Sequence, residues 1–372
     1  VLARAVQVGC LAAGVRVGHS GSASDLMADL KSFQPTFLLA VPRIFEKIYA
    51  GAQQSAEAAG KGKLFAAAAD TAVAYSTALN SAAAGGKGPS VALKLRHKLF
   101  DKMLYPKVRN VFGGKLTYAI SGASALSPQL AHFFRGAGVM VLEGYGLTET
   151  TAPISVNTPQ LIKIGTVGAP LPGNAVKIAD DGEILTKGVS VMKGYFNRPD
   201  LTEANFVDGW FRTGDIGQLD SDGFLKITGR KKEIIVTASG KNVIPAVLED
   251  SIRADAIVSQ CVVVGDQKPF ISALVTIDEE ALPGWLERHK LPATTTVAEA
   301  AQTEQLQSEI QALVDRANKT VSQAEAIKVF RVVPSDFTEA SGHLTPSLKI
   351  KRAQVLKDFS AVVDDIYSGQ KV

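Results

Sequence analysis

The sequence is poor in cysteine, in long apolar runs and in excess charge, and each shortage excludes a class of protein. Two cysteines in 372 residues, Cys10 and Cys261, are too few for a disulfide scaffold. They also lack the Cys/His spacing of a zinc site. No run is long and apolar enough to span a bilayer. The formal net charge of +4 gives no argument for a nucleic-acid partner. Because both cysteines lie in apolar surroundings, we interpret them as structural thiols and predict a cytoplasmic protein.

The composition favours a globular enzyme with at least two domains. Hydrophobic residues make up 46% of the chain, and the mean hydropathy is +0.12. The small basic excess leaves a peripheral contact with anionic lipid open as an alternative. Residues 1–13 place their apolar side chains on one helical face, which predicts a buried helix rather than a signal peptide. A short strand is predicted to follow at Gly14–Val17.

Helices and strands alternate in the first 161 residues, which predicts an α/β domain. The strand Leu116–Ile120 runs into Ser121–Ala123, a helix begins at Pro128, and the strand Val139–Leu142 follows. This order predicts two parallel neighbouring strands with a right-handed crossover. Ser121–Ala123 and Glu143–Tyr145 should then leave the sheet at the same carboxyl edge, where open α/β sheets bind ligands.

Changes in local composition and hydrophobic pattern divide the chain into three parts. Residues 1–161 are predicted to be a parallel-sheet α/β part of a larger domain. Residues 162–230, with short apolar segments between Gly, Pro and Asp, are predicted to form a small barrel-like β subdomain. Residues 231–372 mix helices and strands and are predicted to be a smaller, mobile α+β domain.

The most informative segment is Glu143–Thr150, Glu-Gly-Tyr-Gly-Leu-Thr-Glu-Thr, directly after the strand Val139–Leu142. A strand that breaks into Gly-x-Gly is predicted to turn around a phosphorylated ligand. Gly144 and Gly146 would let the backbone approach that ligand closely. A lone glycine-rich turn is more often an ordinary turn, so this segment needs support from elsewhere in the chain.

The Thr-Glu-Thr end of this segment offers the chemistry that a metal-bound phosphate needs. Thr148 and Thr150 carry hydroxyl donors for phosphate oxygens, and Glu149 is a hard oxygen ligand suited to Mg²⁺.

Three segments downstream support a nucleotide site: Thr213–Asp215, Gly229–Glu233 and Leu344–Arg352. Asp215 could accept hydrogen bonds from both hydroxyls of a ribose, although an Asp in a Gly turn usually forms an Asx turn. Arg230, at the end of a predicted strand, could reach ribose or phosphate, or form a surface salt bridge instead.

Taken in order, these four segments resemble the adenylate-forming superfamily of acyl-CoA synthetases, luciferases and peptide-synthetase adenylation domains, with long-chain fatty acid–CoA ligases the most similar branch. The resemblance implies ATP, Mg²⁺ and CoA as cofactor and co-substrates, and a long-chain fatty acid as substrate. It implies a set of residues that binds the nucleotide and acyl carboxylate: Ser121, Gly122, Ala123, Glu143, Gly144, Tyr145, Gly146, Thr148, Asp215 and Arg230.

The resemblance also implies roles for individual residues in both halves of the chain. Thr148 would contact the α-phosphate, Glu149 would hold Mg²⁺, and Lys349 would be the catalytic cation for adenylate formation, a task that Lys351 or Arg352 could share. Lys232 would be the hinge between two orientations of the small domain. Gly240 would line the CoA tunnel.

Two departures from the family pattern matter. Leu348 stands where many relatives have glycine before the lysine, a form similar to the long-chain branch. The Ser/Thr-rich phosphate loop ending in Pro-Lys-Gly is not found. We therefore read the chain as the later part of a longer protein and expect these 372 residues alone to form no adenylate at a useful rate. An acyl-AMP ligase that loads a carrier protein, or a non-catalytic nucleotide-binding fragment, remain alternatives.

Overall fold

The computed structural model describes residues 2–21, 25–122, 124–345 and 348–369. The chain divides into two compact units, Val1–Ile227 and Thr228–Val372. The predicted divisions 1–161, 162–230 and 231–372 stay predictions. None of the helices in the described part of the chain has the length and apolarity that a membrane crossing requires.

The first unit contains eight α-helices in its described residues: α1 (Leu2–Ala12), α2 (Leu26–Phe33), α3 (Pro42–Ala58), α4 (Gly62–Ala83), α5 (Val91–Met103), α6 (Tyr105–Val111), α7 (Pro128–Gly136) and α8 (Pro199–Ala204). Its described strands, the last of which crosses into the second unit, are β1 (Phe37–Ala40), β2 (Tyr118–Ser121), β3 (Met140–Leu147), β4 (Ala152–Val156), β5 (Ala169–Pro170), β6 (Asn174–Ile178), β7 (Glu183–Gly188), β8 (Phe206–Val207), β9 (Trp210–Leu219) and β10 (Leu225–Arg230).

The predicted β-α-β arrangement is confirmed. Strands β1, β2 and β3 are parallel neighbours, and β4 and β5 extend the sheet in antiparallel fashion. Helix α7 joins β2 to β3 and begins with Pro128 in its first turn. Its buried Phe133 and Phe134 pack edge-on against each other and join the core that holds the sheet. In register, Ser121 lies beside Glu143, as expected for two motifs at one sheet edge.

One predicted strand is wrong. Gly14–Val17 is a turn followed by irregular chain rather than a strand. Val15 and Val17 are 50% and 37% exposed, so this apolar run is not buried against the sheet. A strand needs a neighbour for its backbone hydrogen bonds, and the parallel partner of β1 is β2.

The second sheet of this unit confirms the β-rich texture predicted from residue 162 onward. Its order is β10-β9-β7-β6, with β8 pairing to β9. The pairs β6/β7, β7/β9 and β8/β9 are antiparallel. The order places β7 and β9 in the middle of this sheet, and both strands carry buried polar residues.

The second unit is an α+β body whose described elements are β11 (Ile235–Val236), β12 (Asn242–Val243), α9 (Pro245–Arg253), β13 (Val258–Val264), β14 (Ile271–Ile277), α10 (Leu282–Arg288), α11 (Val297–Ala300), α12 (Glu304–Asn318), β15 (Ile327–Val332), α13 (Arg352–Asp358) and α14 (Ser360–Ser368). Strand β14 pairs antiparallel to β13 and parallel to β15.

Apolar runs rather than alternating patterns mark the central strands of this unit. Every residue of β13 and β14 is buried. Cys261 and Val263 belong to one core cluster, whereas Val262 and Val264 belong to another. Since successive side chains of a strand point to opposite faces, both faces of the sheet are covered. The predicted mixed α/β and α+β fold class is therefore confirmed.

Candidate functional site

The segment predicted to turn away after Leu142 instead continues as strand. Strand β3 runs to Leu147 and pairs antiparallel with β4. A Cβ atom at Gly146 would lie 1.9 Å from the carbonyl oxygen of Ala152, so only glycine fits there. The predicted turn is wrong because the glycine was read as a break in the chain. Glycine is needed at position 146 because β4 approaches the backbone closely there.

Tyr145 and Asp215, which the sequence singled out separately, lie together. The Tyr145 hydroxyl donates a hydrogen bond of 2.6 Å to Asp215 Oδ2. Asp215 is only 4% exposed, and its N–H donates to Thr213 Oγ1 at 3.1 Å. Gly214 has a φ of +71°, which favours glycine at this bend. The first unit thus joins the β3 motif to the Thr-Gly-Asp motif of β9 through one short contact.

Glu183 supports the Thr-Gly-Asp bend and was missed by sequence reasoning. Its carboxylate is buried, and Oε1 accepts the Gly214 N–H at 3.0 Å. Oε2 forms an ion pair with Arg212 at 2.9 Å. A buried acid is held only where partners satisfy it. The sequence shows only that Glu183 is an acid at the start of a strand after a Gly turn, and this pattern does not reveal Gly214 as its partner.

Glu143 fastens the loop that follows β2. Its Oε1 accepts the Leu126 N–H at 3.1 Å, and its backbone carbonyl accepts the Asn157 N–H at 2.8 Å. Burial raises the pKa of Glu143 to about 7, and the Leu126 hydrogen bond opposes that rise. This carboxyl therefore fixes the backbone beside the predicted adenine segment.

Two buried hydroxyls near this strand lack a hydrogen-bond partner among the described residues. They are Ser121 Oγ, at the end of β2, and Ser155 Oγ, on β4 opposite Tyr145. Gly122 is also buried, and Ala123 lies outside the described residues. An unsatisfied buried hydroxyl costs about 1–3 kcal/mol, so a polar ligand atom reaching it would recover that loss. Ser155 was missed by sequence reasoning.

Glu149 is held from a second segment of the first unit. Thr148–Thr150 form a single 3₁₀ turn, in which Glu149 is half-buried. The Tyr195 hydroxyl donates to Glu149 Oε1 at 3.0 Å, and the Met192 N–H donates to the Glu149 carbonyl at 2.7 Å. Burial first, and the hydrogen bond to Glu149 second, raise the pKa of Tyr195. Tyr195 is thus a supporting residue that sequence reasoning missed.

Thr148 and Thr150 have different surroundings. Thr148 is exposed at the start of the turn. Thr150 is fully buried, and its hydroxyl donates to the carbonyl of Ala152 at 2.8 Å and accepts the Leu147 N–H at 2.8 Å. The prediction that Thr150 offers its hydroxyl to phosphate is therefore wrong, because the turn itself uses that hydroxyl.

The surroundings of Glu149 fit a magnesium ion that is shared with phosphate and water. They do not fit a metal ion that is bound by protein side chains alone. Within residues 2–21, 25–122, 124–345 and 348–369, no group of three or more His, Cys, Asp or Glu is placed to hold a metal ion. Mg²⁺ commonly uses one or two carboxylates together with phosphate oxygens and water. A single half-buried carboxylate such as Glu149 meets that requirement when a phosphate is present.

In the second unit, the predicted residues lie on exposed segments. Arg230 ends β10, and Lys232 lies in the 3₁₀ turn Lys231–Glu233; both are exposed. Gly240 lies in the turn between β11 and β12, where its N–H donates to the Thr237 carbonyl at 2.8 Å. Its φ of +79° favours glycine, while nothing lies within 4 Å of a Cβ built there.

Lys349 is exposed on a tight loop closed by backbone pairing. Thr345 N–H donates to the Lys349 carbonyl at 2.8 Å, and Lys349 N–H donates to Thr345 Oγ1 at 3.0 Å. Leu344 and Ile350 form a bridge across the base. Leu348 has a φ of +61°, the conformation that glycine adopts most easily. Leu348, which stands where many relatives have glycine, therefore adopts a backbone conformation that glycine would adopt with less strain.

Arg352 fixes the carboxyl side of this loop. Its guanidinium contacts Glu249 Oε1 at 2.5 Å and donates to the Val263 carbonyl at 2.7 Å. Glu249 Oε1 also accepts the Val263 N–H at 2.7 Å. The charge of Arg352 is therefore engaged within its own unit, and its sharing of the role of Lys349 stays a prediction.

His343 fixes the other side of the loop. Its ring is buried, with Nε2 at 3.0 Å from Asp358 Oδ2 and Nδ1 at 2.9 Å from Ser341 Oγ. Its carbonyl accepts the Lys351 N–H at 2.7 Å. Both ends of the Lys349 loop are thus anchored in the core of the second unit.

Comparisons with known proteins agree with these motifs. Residues 1–196 match the AMP-binding enzyme family, and residues 232–371 match the AMP-binding enzyme C-terminal domain. The chain is 49% identical over 370 residues to the long-chain-fatty-acid–CoA ligase FadD15 of Mycobacterium bovis, covering 100% of this chain and 61% of that protein. It is 34% identical over 361 residues to the putative fatty-acid–CoA ligase fadD11 of Mycobacterium tuberculosis, covering 96% of this chain and 62% of that protein.

A solved structure shows the same fold. The adenylation domain of a carboxylate reductase from Mycobacterium chelonae matches with a TM-score of 0.67 at 22% identity, covering 94% of this chain and 49% of that one. The chain thus spans about three fifths of the length of the two curated relatives named above. Since the first family match alone covers more than half of its residues, the chain belongs to the AMP-binding enzyme family.

Proposed function

We propose that the protein activates a long-chain fatty acid with ATP and transfers the acyl group to CoA. The fatty carboxylate attacks the α-phosphate of ATP, which gives an acyl-adenylate and releases pyrophosphate. The CoA thiol then loses its proton and attacks the acyl carbonyl, so that a thioester forms and AMP departs. The observation that carries the proposal is the Tyr145–Asp215 contact, which joins two of the motifs of this family in one unit.

The first unit supplies groups suited to the nucleotide. Asp215 would accept the ribose hydroxyls, with Tyr145 holding its carboxylate in place. Ser121 and the segment fastened by Glu143 would frame the adenine and acyl carboxylate, which is supported by the unsatisfied Ser121 hydroxyl. Thr148, exposed at the turn, would donate to the α-phosphate. Each group acts by positioning, the main source of catalysis in nucleotidyl transfer.

Glu149 is proposed to hold Mg²⁺ against the phosphates, where the ion would offset their negative charge. Tyr195 fixes one oxygen of this carboxylate. That contact leaves the direction of the carboxylate defined before any ligand is bound.

The second unit is proposed to supply the mobile groups. Lys349 would stabilise the negative charge that builds on the phosphates during adenylation, for which a compact charge on a long stem is suited. Rotation at Lys232 would then exchange Lys349 for the Ser239–Asn242 turn, with Gly240 beside the CoA pantetheine. Arg230 would contact ribose or phosphate. The exposure of these residues in their own unit supports this assignment.

The test uses a chimera, because the chain covers 61% of the FadD15 relative. In the chimera, this chain replaces the matched region of that relative. It is incubated with ATP, Mg²⁺, palmitate and CoA, and products are followed by mass spectrometry. Palmitoyl-CoA and AMP in equal amounts are expected. The same incubation of the 372-residue chain alone is expected to give no adenylate.

Two other outcomes would select the alternatives. Palmitoyl-AMP that accumulates without thioester would indicate an acyl-AMP ligase serving a carrier protein. Here the chain runs from Glu233 to Ser239 with five residues between them, too few for the insertion that such ligases carry, which favours CoA. AMP binding without turnover in the chimera would indicate a nucleotide-binding protein.

We also propose a cytoplasmic location. Cys10 and Cys261 are both free thiols, and Cys261 is fully buried. Burial raises its pKa well above the ordinary value, so it is kept as an unreactive thiol. Free thiols are usual in reducing compartments.

A further inference from the structure

Helix α5 exposes a row of apolar side chains along its outer face. Val91, Leu95, Leu99 and Met103 are 74%, 66%, 55% and 50% exposed. They recur every four residues over the whole helix and therefore form one continuous stripe, here called the α5 stripe. Scattered exposed apolar residues are normal, but an uninterrupted row on one helix indicates a contact surface.

The opposite face of α5 already holds the helix in the first unit. Phe100 is 6% exposed in the core. His97 stacks on Tyr75 with ring centroids 3.8 Å apart, and its Nε2 donates to the Gly136 carbonyl at 2.6 Å. The α5 stripe is therefore not needed to attach the helix.

Lysines accompany the stripe at the same spacing. Lys94, Lys98 and Lys102 each precede a stripe residue, and all three are exposed. The single acid of the helix, Asp101, pairs with Arg109 at 2.7 Å. The thirteen residues of α5 contain four bases and one acid, whereas the whole chain has an excess of only four bases. The helix therefore carries a local excess of three positive charges beside the apolar stripe.

We propose that the α5 stripe docks the protein on an anionic lipid surface. A helix with one apolar face bordered by lysines lies in the plane of the membrane interface, with its apolar side chains among the acyl chains. Lysine stems extend past the apolar layer and place their ammonium groups at the lipid phosphates.

A second copy of this chain fits the α5 stripe less well. Two copies related by a two-fold axis would place the same surface against itself. Lys94, Lys98 and Lys102 would then face lysines of equal charge. Lysine is also depleted in protein–protein interfaces, whereas it is enriched at anionic membrane surfaces. The charge pattern therefore favours lipid.

The test measures co-sedimentation of the 372-residue chain with vesicles at physiological salt. One set of vesicles contains phosphatidylcholine and phosphatidylglycerol in equal amounts, and the other contains phosphatidylcholine alone. Binding is expected only to the anionic set, and it should weaken at high salt, where exposed charges are screened. The double substitution Leu95→Glu/Leu99→Glu is expected to abolish it.

A second variant isolates the electrostatic part without changing the apolar residues. Because each basic residue near an anionic surface contributes about a fivefold gain in partition, Lys94→Ala/Lys98→Ala/Lys102→Ala should weaken binding by about a hundredfold. The matched control is Val189→Glu/Phe196→Glu, two residues of the same unit that are 87% and 91% exposed. This control should bind like the wild type.

Three results would overturn the proposal. They are equal binding to both vesicle types, unchanged binding of both α5 variants, and equal loss in the control. Sedimentation velocity without lipid provides a further check. An oligomer that Leu95→Glu/Leu99→Glu dissociates would assign the stripe to a protein interface instead. Circular dichroism verifies folding, and if the Glu variant unfolds, the lysine variant alone decides.

Discussion

The two units differ in the surroundings of several predicted functional residues, which are hydrogen-bonded in the first unit and exposed in the second. In the first unit, Tyr145, Asp215 and Glu143 are bonded to one another or to neighbouring backbone, and the two acids are buried. In the second unit, Lys349 and Gly240 lie on exposed turns. The difference indicates a fixed frame for recognition in one unit and presented loops in the other. A frame gains from preorganisation, whereas a group that must act in one step and withdraw in the next cannot be buried.

The loops of the second unit are nevertheless fixed at their bases. The Lys349 loop is anchored on one side by Arg352 and on the other by His343, both through contacts in the core. Among the described residues between these two anchors, Leu348, Lys349 and Lys351 are exposed. This arrangement would let a whole unit carry the lysine without the loop changing its own conformation.

The largest effect is expected for Lys349→Ala in the chimera. Loss of a charge that stabilises the transition state should slow adenylation by about a thousandfold, or about 4 kcal/mol. Thioester formation from supplied palmitoyl-AMP should change little, since Lys349 is proposed to act only in the first step. The two half-reactions are measured separately, and Lys357→Ala, an exposed lysine on α13 of the same unit, is the matched control. Equal loss in both half-reactions would contradict the division of labour between loop and frame.

Removal of the loop anchor should destabilise one unit only. Arg352→Ala leaves the Glu249 carboxylate buried without its cation, which costs about 3 kcal/mol or more. Hydrogen exchange of β13 and β14 should accelerate, while exchange of β2 and β3 in the first unit should not. The control Arg331→Ala removes an exposed pair with Asp365 and should cost less than about 1 kcal/mol. Equal acceleration in both units would show that the anchor is not local.

The Glu143 carboxyl should make the frame sensitive to pH. Its pKa is about 7 in the folded chain and 4.5 ordinarily, so the folded state holds the proton more tightly. The free energy of unfolding should therefore fall by about 2–3 kcal/mol as the pH rises from 4.5 to about 7, and then level off. Glu143→Gln keeps the acceptor for Leu126 and should remove this fall.

The readout is the difference between wild type and Glu143→Gln in urea unfolding across that range, which cancels the titration of all other groups. The exposed Glu203→Gln serves as control and should titrate like the wild type. A difference that grows in the opposite direction, with wild type gaining stability as pH rises, would contradict the assigned cause.

The smallest effect concerns the contact that defines the frame. Tyr145→Phe removes the hydrogen bond to Asp215 but keeps the ring, so AMP affinity should fall by about fivefold, or about 1 kcal/mol. Calorimetric titration of AMP into the 372-residue chain measures this affinity, with Tyr118→Phe as control. Affinity that is unchanged, or lost equally in the control, would remove Tyr145 from the nucleotide site.

The sequence predicted the architecture of this chain better than its contacts. The periodicity around β2, α7 and β3 gave the parallel pair correctly, because local patterns and chain connectivity determine it. The ordered motifs also singled out Tyr145 and Asp215, whose role in a nucleotide site stays a prediction. Their direct contact was not predictable, since it joins strands of two different sheets.

The errors have a common physical cause. Gly146 and Thr150 were both interpreted by what they could offer to a ligand, but each serves the chain itself. Glu183 and Tyr195 were missed because their importance depends on a partner about thirty to fifty residues away. A single sequence shows which groups are present, and it does not show which of them the fold has already used.

Under the proposed function, this protein activates a carboxylate through an acyl-adenylate. Palmitate labelled with ¹⁸O in its carboxylate tests it directly in the chimera with ATP, Mg²⁺ and CoA. Attack on the α-phosphate places one labelled oxygen in the bond to AMP, and thiol attack on the carbonyl leaves that oxygen behind. We predict AMP that carries one ¹⁸O for each palmitoyl-CoA formed. Palmitoyl-CoA accompanied by unlabelled AMP, or by ADP and labelled phosphate, would contradict the account.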